Sequence, residues 1–98
     1  MASRTTSTGA SELLPRNSSR KSFVVQNEDS TDSVYIKFER SESTSVSSTD
    51  HDHRLGPGGS LAVSSLTDGI QTIQSRITCI ASANTPRVSF FETEDVVR

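Results

Sequence analysis

Apolar side chains in the middle of this chain recur at every second position, which is the period of a β-strand with one buried face. The segment 33–38 shows the alternation most clearly, in the order Val34, Tyr35, Ile36, Lys37 and Phe38. The same period places Phe23 and Val25 on one face of the segment 20–27. Polar turn residues separate the two segments, so together they are predicted to form a hairpin with a long connection.

Three further strands are predicted in the second half of the chain, over residues 60–64, 76–82 and 87–92. Leu61 and Val63 share the inward face of the first of these strands, and Val88 and Phe90 share that of the last. Glycine, proline and asparagine residues lie between the strands and favour turns, most clearly around Pro57.

Two segments allow more than one interpretation. The isoleucines of the segment 70–80 are spaced as in a helix, but its many β-branched residues favour a turn followed by the strand that begins at 76. The polar segment 43–49 forms either a solvated edge strand or a loop. Several short strands separated by turns are typical of a small antiparallel β-sandwich or barrel. The sequence therefore predicts an all-β domain over residues 20–98.

Residues 1–19 are rich in serine and threonine and lack a sustained strand or helix period. Such a segment cannot bury enough apolar surface to offset the entropy that it loses on ordering. We therefore expect an extended N-terminal arm that is flexible or is ordered by a partner. Leu13 and Leu14 are its candidate anchor on that partner, and Arg16 and Arg20 are further candidate contacts. Removal of the arm is expected to leave the β-domain folded.

Composition limits the size of the core. Hydrophobic residues make up 31% of the chain and aromatic residues 5%, while serine and threonine account for nearly a third. Small domains gain little net stability from burial alone and compensate with disulfides, metals or oligomerisation. Cys79 is the only cysteine, which excludes a disulfide within the chain, and its apolar neighbours indicate a small buried residue. We therefore expect the chain to form a homo-oligomer, for example a trimer.

The charge pattern argues against nucleic acid as a partner. The formal net charge is −2, and no aromatic residues are interleaved with basic ones. The cations near the N-terminus precede an acidic remainder, so a weakly basic arm could contact an acidic neighbour. We expect neither a membrane partner nor a secretory signal, because no apolar run has the necessary length.

His51-Asp52-His53 is the one cluster of metal-ligand residue types. In an extended segment the two imidazoles share a face and could reach one ion, or could form a pH-sensitive contact. No distant Cys, His or Glu completes such a site, so a solvated loop is the favoured interpretation and no metal is assigned. Phosphate-loop, nucleophile-elbow and paired-carboxylate patterns do not occur. We therefore expect no catalytic residues, no cofactor and no enzymatic activity.

Four segments carry a recurring pattern across residues 20–93. They are the arginine-led strand 20–27, Val34-Tyr35-Ile36, the turn and strand 55–61, and Arg87-Val88-Ser89-Phe90-Phe91-Glu92. In this order they resemble a group of small all-β structural proteins of tailed bacteriophages, which includes capsid cement or decoration proteins and small tail proteins. The resemblance implies a β-sandwich that attaches to a shell or tail, often as a trimer or other oligomer. It brings no catalytic residues to this chain.

These observations give two hypotheses for function, both of which place the chain in a virion. The first is a capsid cement or decoration protein that binds at subunit junctions, with the major capsid protein or tail subunits as partners. It would stabilise the assembly because it binds the assembled state more tightly. The alternative is a tail or fibre component that binds a host glycan. Such a module needs exposed aromatic residues or a metal site, for which Tyr35, His51 and His53 are the candidates.

Overall fold

The computed structural model describes residues 2–39, 43–64 and 74–94 of the chain. These residues form eight strands: β1 Ala2–Thr5, β2 Ser11–Leu14, β3 Arg20–Asn27, β4 Val34–Glu39, β5 His53–Leu55, β6 Ser60–Ser64, β7 Arg76–Ala81 and β8 Arg87–Glu94. The strands build two four-stranded antiparallel sheets, sheet A in the order β1-β8-β3-β6 and sheet B in the order β2-β7-β4-β5. The predicted all-β class is confirmed, and the arrangement is compatible with a small β-sandwich.

The strand order corresponds to one long antiparallel ribbon folded back on itself. Along the ribbon β1 pairs with β8, β2 with β7, β3 with β6 and β4 with β5. The ribbon then pairs with itself twice more, because β3 also pairs with β8 and β4 with β7. This is the strand order of a jelly roll, which places eight strands in two sheets. The two sheets are separate in the described residues, so the predicted alternative of a closed barrel is not found.

The predicted hairpin between the segments 20–27 and 33–38 is wrong. Both strands form, but β3 belongs to sheet A and β4 to sheet B. The connection between them crosses from one sheet to the other. Asp29 shapes this crossover by accepting hydrogen bonds from the backbone amides of Thr31 at 3.0 Å and Asp32 at 2.6 Å. Period-two alternation reports which face of a strand is buried and carries no information about the strand beside it.

The core is one cluster of apolar side chains that contains residues of both sheets. Its fully buried members are Phe23, Val25, Val34, Ile36, Ile77, Cys79 and Val88. They include four of the five side chains that the alternation of β3 and β4 predicts to face inward. The fifth, Phe38, is 8% exposed and belongs to the same cluster. Phe90, predicted to share the inward face of β8, is partly buried and packs against the same cluster. Burial of each large apolar side chain contributes about 1.5–3 kcal/mol.

The expected N-terminal arm is not observed. Residues 2–5 form β1 at the edge of sheet A, and residues 11–14 form β2 at the edge of sheet B. Leu13, the expected anchor on a partner, is buried in the core of its own chain. The sequence pattern missed these strands because each has four residues and forms by long-range pairing, as Thr5 does with Arg87. That a partner orders this segment, and that the chain divides at residue 19, stay predictions.

The remaining sequence predictions have mixed outcomes. The segment 43–49 lies in a loop, and the three-residue strand β5 that follows this loop was missed. Strand β7 agrees with the predicted strand that begins at residue 76. The competing helix over 70–80 falls largely outside the described residues. No helix in the described part of the chain has the length and apolar character needed to cross a membrane.

The glycine-rich turn between β5 and β6 forms as predicted. The backbone amide of Gly59 donates to the carbonyl of Gly56 at 2.8 Å, with Pro57 and Gly58 at the central positions. Gly58 has a φ of 74°, and proline followed by a positive-φ glycine is the signature of a type II turn. A Cβ atom at Gly59 would lie 3.0 Å from the Gly56 carbonyl oxygen. Both positions therefore favour glycine for steric reasons.

A buried asparagine joins this turn to β3 and to the crossover. The side-chain amide of Asn27 donates to the carbonyl oxygens of Asp32 at 2.8 Å, Leu55 at 3.1 Å and Gly56 at 3.1 Å. The side-chain carbonyl oxygen of Asn27 accepts a hydrogen bond from the backbone amide of Asp29 at 3.0 Å. Because Asn27 is 0% exposed, water cannot replace these contacts. Asn27 therefore fixes the end of β3 relative to both connections.

Deletion of residues 1–19 should destabilise the chain rather than leave the β-domain intact. The deletion removes two edge strands and the buried Leu13, and loss of one buried leucine side chain costs about 2–5 kcal/mol. Chemical denaturation followed by circular dichroism measures the change. Leu13→Ala should show part of the loss, whereas Pro15→Ala, at an exposed position, should show little. An unchanged denaturation midpoint after deletion would restore the arm interpretation.

Candidate interaction surfaces

The four residues predicted to contact a partner lie in different environments. Leu13 is in the core, Leu14 packs against the core from β2, Arg16 is exposed, and Arg20 is 1% exposed. The structure brings Arg20 to the segment that follows β2, because its guanidinium donates to the carbonyl of Pro15 at 2.8 Å. Arg16 is thus the only one of the four with an exposed side chain. The role of all four as partner contacts stays a prediction.

Arg20 connects β3 to three other parts of the chain. Its Nε donates to Oε2 of Glu92 in β8 at 2.5 Å, and its two η nitrogens donate to the carbonyls of Ser75 and Pro15, each at 2.8 Å. A buried guanidinium needs such charge-assisted partners because nothing else offsets its loss of water. These contacts give Arg20 an internal, structural role.

The outer face of sheet B is charged, and the loop 43–52 contacts it. Nζ of Lys37 lies 2.8 Å from Oδ2 of Asp50 and 3.7 Å from Oε1 of Glu39. Ser45 donates hydrogen bonds to the Glu39 carboxylate through both its backbone amide and its hydroxyl. Val46 of the same loop is buried. The loop is therefore held on the sheet by an ion pair and hydrogen bonds, with Val46 removed from water.

The opposite side of this face is also paired. Nε of Arg76 in β7 lies 2.8 Å from Oε1 of Glu12 in β2. In β5, the guanidinium of Arg54 donates to the hydroxyl of Ser33 at 3.0 Å. Several charged groups of sheet B thus have partners within the chain itself.

The loop contacts shift two pKa values on this face. Burial raises the pKa of Glu39, but the amide and hydroxyl of Ser45 and the charge of Lys37 together outweigh burial, and its pKa is lowered. The hydrogen bond with Asp50 raises the pKa of Lys37, and the negative charges around it act in the same direction. Both groups therefore hold their charges more firmly in the folded chain.

His51 of the loop and His53 at the start of β5 contact different aromatic rings. The ring centroid of His51 lies 4.6 Å from that of Tyr35, and Nδ1 of His51 lies 3.1 Å from the carbonyl oxygen of Ser47. His53 meets Phe38 edge to face at 6.0 Å between centroids. Within the described ranges, no group of three or more His, Cys, Asp or Glu side chains is placed to hold a metal ion.

Cys79 is buried, as its apolar neighbours predicted. Burial raises the pKa of its thiol, which keeps the thiol protonated near neutral pH. Its Sγ lies 3.7 Å from Oγ of Ser11 in β2. The residue therefore acts as a small apolar side chain of the core.

The outer face of sheet A has a different chemistry. Strand register places Phe91, Val24 and Ala62 side by side across β8, β3 and β6. Phe91 is 42% exposed and is the one exposed large hydrophobic residue in the described chain. Uncharged polar residues flank this apolar row on both sides: Ser22 and Thr93 on one, and Ser3, Gln26, Ser60 and Ser89 on the other. We call this surface the neutral face.

Charges lie only at the ends of the neutral face. One end carries Arg87, which lies opposite Thr5 in the sheet. The other end carries Lys21, which lies next to Ser22 in β3. Ala62 and Phe91 are exposed, Val24 is half-buried and Ser89 is buried, so the part of the face around Phe91 lies open, in contrast to the part of sheet B under the loop. Sequence reasoning missed this surface. The signal available was the lack of charge at the central outward positions of three predicted strands, 22–26, 60–64 and 89–91.

No protein-family model, curated protein or solved structure matches this chain.

Replacement of Arg20 tests its structural role. Arg20→Met keeps an apolar stem but removes the partner of Glu92 and two hydrogen bonds to carbonyls, so we expect a loss of about 2–4 kcal/mol in the free energy of unfolding. Lys21→Met, at the exposed neighbouring position, is the control and should change stability by less than about 0.5 kcal/mol. Thermal and urea denaturation measure both variants. Equal effects of the two substitutions would refute the structural role.

Protonation of Glu39 should lower stability at acid pH. Because its pKa is lower in the folded chain, the ionised form contributes stability above the ordinary pKa of 4.5, and this contribution is lost as pH falls through the folded-state pKa. Denaturation midpoints measured from neutral to acid pH should fall more steeply for the native sequence than for Glu39→Gln. Parallel curves would show that the loop contacts contribute nothing.

Proposed function

We propose that this chain is a non-enzymatic structural protein of a virion, a capsid cement or decoration protein that stabilises subunit junctions. The observation that carries the proposal is the jelly-roll strand order, an architecture that viral capsid domains use. Lectins and cupins share the architecture, so it supports the proposal by analogy. The resemblance of residues 20–93 to small structural proteins of tailed bacteriophages points to the same class.

The surfaces of the molecule favour attachment over catalysis. Lys37 and Arg76 of sheet B form ion pairs within the chain, and the neutral face presents an apolar row with a polar rim. Protein interfaces have this anatomy, with charges depleted at the centre. A surface of this kind supports a role in assembly.

The proposed partners are the major capsid protein or tail subunits. The chain itself is proposed to form a homo-oligomer, for example a trimer. Strands β1 and β6 are the edges of sheet A in the described residues. Strand edges offer backbone hydrogen-bonding groups to a neighbouring chain. A subunit that binds the assembled shell more tightly than its free components stabilises the shell by mass action.

The alternative is a tail or fibre component that binds a host glycan, and one observation favours it. Phe91 is exposed beside the hydroxyls of Ser22 and Thr93, which lie 2.5 Å apart. Tyr35, the aromatic residue expected to serve this function, is half-buried against His51. A glycan array probed with the native chain and with Phe91→Ala distinguishes the two functions. Binding that the substitution abolishes would favour the glycan module.

The cement function predicts a measurable effect on particles. In virions purified from the source of this chain, quantitative mass spectrometry should find it at a fixed ratio to the major capsid protein. Particles stripped of the chain should release their genome at a lower temperature, and addition of the purified chain should restore the original temperature. The stability that the particles regain depends on how many of their binding sites are occupied. The genome-release temperature should therefore stop rising once all sites are filled.

Bovine serum albumin at the same concentration is the control for nonspecific protection. Absence of the chain from purified particles would refute the virion location. Saturable binding without any change in release temperature would refute the cement function and leave an attachment function.

A further inference from the structure

The neutral face is the one sheet surface in the described chain without an internal partner. Loop 43–52 is fixed on sheet B by Lys37 and Glu39, whereas Phe91 and Ala62 on sheet A remain exposed. An apolar row of this kind gains free energy when another surface removes it from water. The chemistry of the face decides which surface that is.

The absence of charge selects an uncharged occupant. Nucleic acids and anionic membranes need cations along the contact, and here the cations Lys21 and Arg87 lie at the ends of the face. A charged protein surface would lose water from its own charges without gaining a partner for them. Along its uncharged rows, a second copy of the same face meets neither penalty. The charges of Lys21 and Arg87 lie at the ends of the face, outside these rows, and each chain carries a formal net charge of −2.

The pattern of the face is also complementary to itself. Consider a two-fold axis that runs along β3 in the plane between two facing copies. Rotation about it places Val24 on Val24 of the second copy and Phe91 on Ala62 of the second copy. A large side chain thereby meets a small one twice, and the polar rows on each side meet polar rows. Face-to-face sheets pack about 10 Å apart in the same way inside a sandwich.

We propose that the neutral face binds a second copy of this chain in an isologous dimer, with Phe91 as the central contact. The inference does not rest on the proposed function. From strand spacing and rise per residue, the face measures roughly 19 Å by 17 Å. This is smaller than the roughly 800 Å² per partner of a standard interface, so the dimer is weak and depends on concentration.

Sedimentation velocity of the purified full chain, from micromolar to millimolar concentration, tests the proposal. The sedimentation coefficient should rise with concentration from that of a monomer to that of a dimer. In parallel NMR spectra, the amide signals of Val24, Ala62 and Phe91 should shift on concentration, while those of the loop 43–52 should not.

Charge substitutions make the test specific for this face. Ala62→Asp, at an exposed position of an edge strand, places a carboxylate against Phe91 of the second copy and should weaken association about tenfold or more. Ser48→Asp adds the same charge in the exposed loop over sheet B and is the matched control. A mixture of Ala62→Asp with Phe91→Lys should associate better than either variant alone, because one contact in the mixed dimer then joins opposite charges.

Circular dichroism first establishes that each variant is folded, and Phe91→Ser replaces any variant that is not. A native chain that stays monomeric at millimolar concentration overturns the proposal. Equal weakening by Ser48→Asp and Ala62→Asp also overturns it, because the effect would then arise from net charge. The proposal is also overturned if the native chain is a monomer that binds a glycan or a shell and Phe91→Ala abolishes this binding. The neutral face would then belong to that other partner.

Discussion

Strand β3 is held at each end by a buried polar side chain, and the other elements are arranged around it. Arg20 is 1% exposed at its start and Asn27 is 0% exposed at its end. A buried cation or amide is tolerated only where hydrogen bonds replace water, so these residues dictate the positions of the segments that supply the partners. Arg20 thereby fixes β8 and the chain beside β2 and β7, while Asn27 fixes the crossover and the β5–β6 turn. Phe23 and Val25 lie between them in the centre of the core.

This arrangement gives the two sheets unlike outer faces. Sheet B carries alternating charges that hold the loop 43–52 and join β2 to β7. Sheet A carries an apolar row bordered by hydroxyl and amide groups. Charges paired within the chain stabilise its own loops, whereas an uncharged face can lose its water at low cost. Sheet A is therefore the surface on which we propose that this chain associates with other molecules.

The strands that the sequence predicted are those with a buried face and an alternating pattern of their own. The segment 20–27 matches β3 in both bounds, and 60–64 matches β6 in both. β1, β2 and β5 were missed because strands of three or four residues are too short to show a period. The four predicted partner residues lie near one another in sequence, yet Leu13 and Arg20 are buried and only Arg16 is exposed. Burial of this kind depends on neighbours that are distant in sequence.

The sequence alone determined the all-β class, the inward faces of the longer strands and the glycine turn, because alternation and φ preference act over a few residues. Only the tertiary structure decided which strands pair, since β1 meets β8 from the opposite end of the chain. It also turned the expected N-terminal arm into two edge strands and placed β3 and β4 in different sheets. The neutral face likewise exists only after pairing, because Phe91, Val24 and Ala62 become neighbours through the register of three strands. Pairing is set by core packing and by the partners of buried polar groups, and both depend on the whole fold.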